Sequence, residues 1–253
     1  MATLAILSAL LDEQRGLLEE LAHPRKVKRA GRTFWCGQWH GHEVVLALTK
    51  VGKVAAATTT TAVIEAFQAQ RVVFTGVAGG LGTGVKVGDV VVAREFIHHD
   101  LDSSPLFARY EIPLYGRASL PCDEGLTALL LEATHVGLAG VGDHFHHDKL
   151  LMAPQVHAGL IASGDQFVSS ADVAVRMLSD MQAFGFAPLA VEMEGAAVAQ
   201  VCRDYGVPFA AVRTISDRAD ATAHVDFSAF VQKVASPYAF AVLSQFVQML
   251  PKL

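Results

Sequence analysis

The sequence predicts an α/β protein built as a three-layer αβα sandwich around a central mixed sheet. Short apolar runs alternate with helical segments along the chain, which is the pattern of such folds. Several of those runs stop abruptly on acidic or glycine residues. With 253 residues, 52% of them hydrophobic, the chain can bury a large core, and we expect one domain over residues 1–253.

The strand predictions rest on short runs of apolar and β-branched residues. In chain order these runs are 3–8, 33–38, 43–48, 71–75, 87–96, 156–163, 189–191 and 209–215. The second and third runs flank His40-Gly41-His42, which predicts a hairpin. A glycine-rich turn at 76–84 is expected to follow the fourth run.

Helices are predicted where apolar or small residues recur with helical spacing. These segments are 12–21, 55–67, 123–134, 171–181, 195–202 and 226–250. Pro237 should kink or divide the last of them, because proline lacks the donor for the carbonyl four residues earlier. The His-rich stretch at 144–149 is interpreted as a surface loop. A metal site at His144, His146 and His147 is the alternative, but no carboxylate or cysteine stands at a structural-site spacing.

Composition excludes several classes of protein. A net charge of −5 without a basic stripe argues against nucleic-acid binding. No run approaches the roughly 20 apolar residues of a membrane span, and the apolar N-terminus lacks the basic residues of a signal peptide. Three widely spaced cysteines indicate neither a disulfide framework nor a zinc motif. A reducing, cytoplasmic location is expected.

The most informative stretch is 189–217, where acidic residues follow two apolar runs. The first run ends at Glu192 and Glu194, and the second ends at Asp217. Ligands of α/β proteins bind beyond the carboxyl ends of strands. Glu13, the 76–80 turn and the 164–167 segment also follow predicted strands, so all these points could converge on one crevice.

The glycine-rich turn does not indicate a dinucleotide site. A G-x-G-x-x-G match is informative only between a strand and a helix, with an acidic residue further on. Here the turn leads into another strand. Its glycines still allow a ligand to approach the backbone closely, because glycine has no Cβ.

Six motifs, taken together, identify a resemblance. SALLDE at 8–13, TGVAGGL at 75–81, KVGDVV at 86–91, SGDQFV at 163–168, VEMEGAAVA at 191–199 and RTISD at 213–217 occur in this order. The chain resembles the methylthioadenosine/S-adenosylhomocysteine nucleosidases of the purine nucleoside phosphorylase superfamily over nearly its whole length. The resemblance implies a nucleoside phosphorylase-like fold and hydrolysis of the N-glycosidic bond of 5′-thio-substituted adenosines.

The resemblance also implies roles for residues at the matching positions. Asp217 would protonate adenine N7, Glu13 would activate water, and Glu194 would hold the ribose hydroxyls. Met193 would pack on the ribose, Arg213 would lie near the water, and Phe227 would help cover the base. The remaining expected substrate contacts are Phe167 and Val168 at adenine, with Leu10, Val51, Val77, Ala78, Gly79, Glu192 and Ser216 around the pocket.

The chemistry needs these groups in any case. Adenine leaves poorly as an anion, so a protonated Asp217 in a buried setting must deliver a proton; such catalysis contributes ~10²–10⁴-fold. Glu194 can stabilise the cationic sugar. No metal or cofactor is required. Phosphorolysis is disfavoured because Asp12 and Glu13 would repel phosphate in the first loop.

Alternatives remain open within this interpretation. A hydrolase of a futalosine-type menaquinone precursor would differ in the part of the pocket that binds the substrate beyond C5′. A purine-binding module without catalysis is a second alternative, but it would not need Glu13. Val77 stands where many relatives have Ser, and Leu10 where Met is commoner. We expect a homodimer in which the partner's Leu106, Phe107 and Pro113 close the 5′ pocket, since an exposed apolar loop favours burial against a partner.

Overall fold

Strands whose side chains are buried on both faces give the fold its layers. In β1 (Thr3–Ser8), Leu4 and Ile6 pack into one apolar core, whereas Ala5 and Leu7 pack into another. This follows from the alternation of side chains along a strand. The computed structural model describes residues 3–145, 154–218 and 230–252.

The remaining strands form one mixed sheet with β1. They are β2 (Ala22–Arg29), β3 (Arg32–Trp39), β4 (His42–Leu48), β5 (Ala69–Gly80), β6 (Val90–His98), β7 (Ser119–Pro121), β8 (Val156–Ser163), β9 (Ala190–Glu192) and β10 (Phe209–Asp217).

Helices cover both faces of this sheet. They are α1 (Lys53–Phe67), α2 (Glu124–Phe145), α3 (Ala171–Ala183), α4 (Gly195–Tyr205) and α5 (Ser236–Met249). Helices α1 and α4 pack together over one core, and α2 and α5 pack together over the other. The predicted three-layer α/β class with a central mixed sheet is therefore confirmed.

Part of the sheet closes on itself. The strands are ordered β10-β6-β8-β9-β5-β1-β4-β3-β2, and β10 also pairs with β5. Strands β5 and β10 are parallel, whereas the last two residues of β5 pair antiparallel with the first two of β9, Gly79 opposite Val191. The carboxyl ends of β5, β9 and β10 consequently meet at one place.

The structure corrects the predicted helix at 12–21. Only a single 3-10 turn, Asp12–Gln14, forms there. Gly16 adopts a φ of +85°, in the left-handed region, so the chain leaves the helical path two residues later. Strand β2 was not predicted, because its sequence AHPRKVKR is mostly exposed and polar and it pairs only with β3 at the sheet edge.

The glycine-rich segment is also more regular than predicted. β5 continues to Gly80 instead of ending at Thr75, because β10 and β9 supply pairing partners for its backbone. The hairpin is confirmed: His40 and Gly41, both with positive φ, connect β3 to β4. A π-helical turn, Val231–Ala235, runs directly into α5, and Pro237 lies in the first turn of α5, where its missing N–H is tolerated.

Candidate active site

A cavity of about 230 Å³ opens where the carboxyl ends of the strands converge. Segments that follow β1, β4, β8 and β9 contribute to it, together with the last residues of β5 and β10. Thirteen residues expected from the sequence line the cavity: Leu10, Glu13, Val51, Val77, Ala78, Gly79, Phe167, Val168, Glu192, Met193, Glu194, Ser216 and Asp217. The structure therefore gathers most of the expected substrate contacts into one enclosure.

Glu13 lies in the short 3-10 turn after β1 and is held by backbone donors. The N–H groups of Ala9 and Leu10 each donate to Oε2 at 2.8 Å, and the N–H of Val77 donates to Oε1 at 3.1 Å. Burial raises the pKa of Glu13, while the Arg213 charge and these donors oppose that rise. A carboxylate fixed in this way, with a raised pKa, suits a general base.

Val77 contacts Glu13 through its backbone, not its side chain. The absence of a serine hydroxyl at this position leaves that contact intact. Gly76 beside it has a φ of +156°, and a Cβ there would lie 2.8 Å from both Glu13 Oε1 and Arg213 Nη1. Glycine is required at Gly76 because the two charged side chains pack directly on its backbone.

Arg213 and Glu192 form a buried ion pair, of which Glu192 lines the cavity. Arg213 Nη2 lies 2.5 Å from Glu192 Oε2, and the guanidinium carbon lies 3.8 Å from the centroid of the Phe74 ring. Ser163 Oγ and the N–H of Gly195 also donate to Glu192. Arg213 does not line the cavity. Its positive charge acts on the cavity by stabilising the ionised forms of the Glu13 and Glu194 carboxyl groups.

Glu194 directly precedes α4, and its side chain reaches across to α1. The N–H of Gly52 donates to Glu194 Oε1 at 2.8 Å. Burial and the neighbouring Glu192 carboxylate raise the pKa of Glu194 to about 8, whereas Arg213 and Gly52 lower it. The side chain is thus a buried acceptor whose charge depends on pH near neutrality.

Asp217 ends β10 after an irregularity in the strand. The β5–β10 register shifts between Ile215 and Asp217, so Ser216 forms a bulge. Bulges beside active sites re-aim the following side chain. Asp217 is 8% exposed, and the Ser216 hydroxyl donates to Asp217 Oδ2 at 2.7 Å.

The mouth of the cavity is partly apolar. Phe167 is about half exposed, whereas Val168 is buried. Sequence reasoning missed three lining residues, Ala9, Gln166 and Val191, each a neighbour of an expected one. Sequence reasoning also missed Gly52, whose N–H donates to Glu194, because a glycine before a helix does not by itself indicate a functional contact.

Some expected residues lie elsewhere. Leu106, Phe107 and Pro113 follow β6 and do not line this cavity; Leu106 is 84% exposed, and Pro113 borders a separate groove. Phe227, His146 and His147 fall outside the described residues, and His144 belongs to the last turn of α2.

None of the described helices is long and apolar enough to cross a membrane.

Comparison with known proteins assigns the fold and the site to a family. The model of the phosphorylase superfamily matches residues 3–248. The chain is 36% identical to a 5′-methylthioadenosine/S-adenosylhomocysteine nucleosidase of Chromohalobacter salexigens, over 96% of this chain and 95% of the relative. It is also 36% identical to an aminodeoxyfutalosine nucleosidase of Helicobacter pylori, over 92% of each chain.

A solved structure agrees with these relatives. The 5′-methylthioadenosine/S-adenosylhomocysteine nucleosidase of Neisseria meningitidis in complex with methylthio-immucillin-A superposes with a TM-score of 0.85. It is 33% identical and covers 99% of this chain and 100% of the other. Because these matches span nearly the whole chain, the protein belongs to the phosphorylase superfamily and is one of its nucleosidases, enzymes that hydrolyse N-glycosidic bonds.

Proposed function

We propose that this nucleosidase hydrolyses 5′-methylthioadenosine and S-adenosylhomocysteine, releasing adenine and the 5′-thioribose product. It would act in the cytoplasm as one catalytic domain over residues 1–253, with water as the second substrate. The observation that carries the proposal is the convergence of Glu13, Glu194 and Asp217 on one cavity from three separate strand ends. These groups match the three tasks of the reaction: activating water, holding ribose and protonating the base.

In the proposed mechanism, Asp217 donates a proton to adenine N7 as the glycosidic bond breaks. The bonding electrons leave with the base, and the sugar carbon becomes cationic. Glu194 binds the ribose hydroxyls and stabilises that positive charge. Glu13 takes a proton from the attacking water. The Arg213 charge, paired with Glu192, lowers the pKa of Glu13 and of Glu194, and the Glu192 carboxylate raises the pKa of Glu194.

The surroundings of Glu13 favour water over phosphate as the nucleophile. Backbone N–H groups at a strand-to-helix turn commonly form anion sites. Here the N–H groups of Ala9, Leu10 and Val77 all donate to Glu13. A phosphate would have to displace a buried carboxylate from these donors and would be repelled by it.

Release of the free base, adenine or hypoxanthine, from a panel of nucleosides tests the substrate assignment. The panel contains 5′-methylthioadenosine, S-adenosylhomocysteine, aminodeoxyfutalosine and 5′-methylthioinosine, each with and without phosphate. We expect the first two to give the highest kcat/KM and phosphate to have no effect. A preference for aminodeoxyfutalosine would support the second candidate function, which the equally similar Helicobacter pylori relative favours. The absence of base release from every nucleoside would contradict both assignments.

Replacing Glu194 should expose its role at the ribose. We expect Glu194→Gln to weaken binding and slow turnover, since the neutral amide accepts fewer hydroxyl hydrogen bonds and cannot balance the cationic sugar. In the wild type, affinity for a nucleoside inhibitor should rise with pH through about 8, because the carboxylate ionises there. The Gln variant should lack this rise. Cleavage of a 2′-deoxy substrate as fast as the riboside by the wild type would contradict the proposed contact.

We propose further that the active unit is a homodimer whose partner closes the 5′ side of the pocket. Val51 lines the cavity and is 52% exposed, and the nearby Val54 at the start of α1 is 79% exposed. In the loop after β6, Leu106 and Leu114 are 84% and 90% exposed. Apolar side chains exposed to this extent on adjoining segments favour burial against a second subunit.

Charge substitutions in that loop test the shared pocket. Leu106→Asp and Phe107→Asp should shift the protein from dimer to monomer and raise KM for 5′-thio substrates. Leu106 is almost fully exposed, so its replacement should leave the subunit folded. Val136→Asp on α2, which packs on the opposite face of the sheet from α1, is the matched control. Light scattering and adenine release report the outcome; a fully active wild-type monomer at micromolar concentration would exclude the shared pocket.

A further inference from the structure

The KVGDVV motif at 86–91 takes no part in the mechanism, yet its acid is buried. Asp89 is 4% exposed, and its carboxyl group is hydrogen-bonded. The N–H of Lys86 donates to Oδ2 at 2.9 Å, the N–H of Gln155 donates to Oδ1 at 3.0 Å, and His157 Nε2 lies 2.9 Å from Oδ2. Asp89 therefore fixes its own turn and ties it to the start of β8.

The backbone of this turn holds the end of β10. The N–H of Gly88 donates to the Ile215 carbonyl at 2.8 Å, and the N–H of Ile215 donates to the Asp89 carbonyl at 2.8 Å. These two bonds extend the antiparallel β6–β10 pairing, which has Val90 opposite Thr214, by one more residue. Ile215 is thus anchored on this edge of β10, immediately before the bulge.

The anchor lies two residues before the catalytic acid. On the other edge of β10, the pairing with β5 shifts register between Ile215 and Asp217. The position of Asp217 consequently depends on where the strand is fixed just before the irregularity. Ile215 itself is fully buried and packs close to Gly80, where an added Cβ would lie 3.1 Å from its Cγ2.

We propose that Asp89 is a positioning residue for the glycosidic cleavage, acting through the 86–89 turn to place Asp217 against the base. The proposal rests on the proposed function, since it takes Asp217 as the proton donor. Asp89 does not line the cavity. Its effect is transmitted by the two backbone hydrogen bonds at Ile215.

Asp89→Asn is the informative substitution because it keeps the size of the side chain and disturbs its bonding. Two backbone N–H groups point at different oxygens of Asp89, and an amide can accept from only one of them. A misplacement of about 1 Å can cost about 10²-fold in rate, so we expect kcat for 5′-methylthioadenosine to fall by about that factor, with a smaller change in KM.

A double-mutant cycle separates positioning from general damage. If Asp89 acts through Asp217, the Asp89→Asn/Asp217→Asn double variant should be no slower than Asp217→Asn alone. If the double variant loses a further factor equal to that of Asp89→Asn, the proposal is overturned. Asp123→Ala is the structural control: it removes the carboxylate that accepts the Leu126 N–H at the start of α2, far from the 86–89 turn, so it should lower Tm without changing kcat.

Hydrogen exchange at the Ile215 amide tests the same idea without activity. We expect exchange at this amide, taken relative to the buried amides of β1, to be faster in Asp89→Asn than in the wild type and unchanged in Asp123→Ala. Equal exchange in Asp89→Asn and the wild type would overturn the proposal. If the wild type cleaves no nucleoside, the proposed function fails, and the exchange measurement still decides whether Asp89 anchors the strand.

Discussion

Asp217→Asn is expected to lower the rate of adenine release by about 10²–10⁴-fold, the range for loss of a general acid. The amide has the shape of the carboxyl group and can still receive the Ser216 hydroxyl bond through its oxygen. It cannot deliver a proton to N7, so adenine would have to leave as a poorly stabilised anion. The loss corresponds to about 3–5 kcal/mol of activation free energy.

Steady-state adenine release and inhibitor binding distinguish this role from a structural one. The variant should unfold at nearly the wild-type temperature and should still bind a nucleoside analogue. Asp180→Asn, an exposed acid on α3 that pairs with Arg109, makes the same chemical change away from the cavity and should keep full activity. Turnover of the Asp217 variant close to that of the wild type would remove it from the acid role.

Glu13→Gln is expected to abolish most turnover while preserving affinity for adenosine analogues. Glu13 faces water in the proposed mechanism, and an amide cannot accept the proton of that water. The loss should again approach 10²–10⁴-fold in kcat. In the wild type, kcat/KM should rise with pH as Glu13 ionises, at a pKa above that of an ordinary glutamate because burial raises it. The Gln variant should lack this limb of the profile.

Isothermal titration with a nucleoside analogue, beside the kinetics, tests the assignment. Asp12→Asn is the matched control, because Asp12 is the neighbouring acid in the same 3-10 turn and does not line the cavity. If Glu13→Gln loses binding and rate equally, Glu13 serves to hold the turn through Ala9 and Leu10 and does not act on water.

The sequence predicted which residues line the cavity better than it predicted the path of the chain around it. Glu13, Glu194 and Asp217 could be found because each follows an apolar run, and strands of α/β proteins end at ligand sites. The helix expected at 12–21 was wrong because its acidic start resembles a capped helix, whereas Gly16 turns the chain away. Strand β2 was missed because an exposed edge strand carries almost no apolar signal.

By itself, the sequence determined the α/β class, the order of most elements and the residue types available for acid, base and ribose contacts. These properties depend on local periodicity and on which residues end each run. The tertiary structure alone decided that β9 meets β5 antiparallel, so that the acids after β9 reach the same cavity as Asp217. It alone placed the Gly52 N–H on Glu194 and the Ile215 anchor beside Asp89, since both contacts join residues more than 100 positions apart.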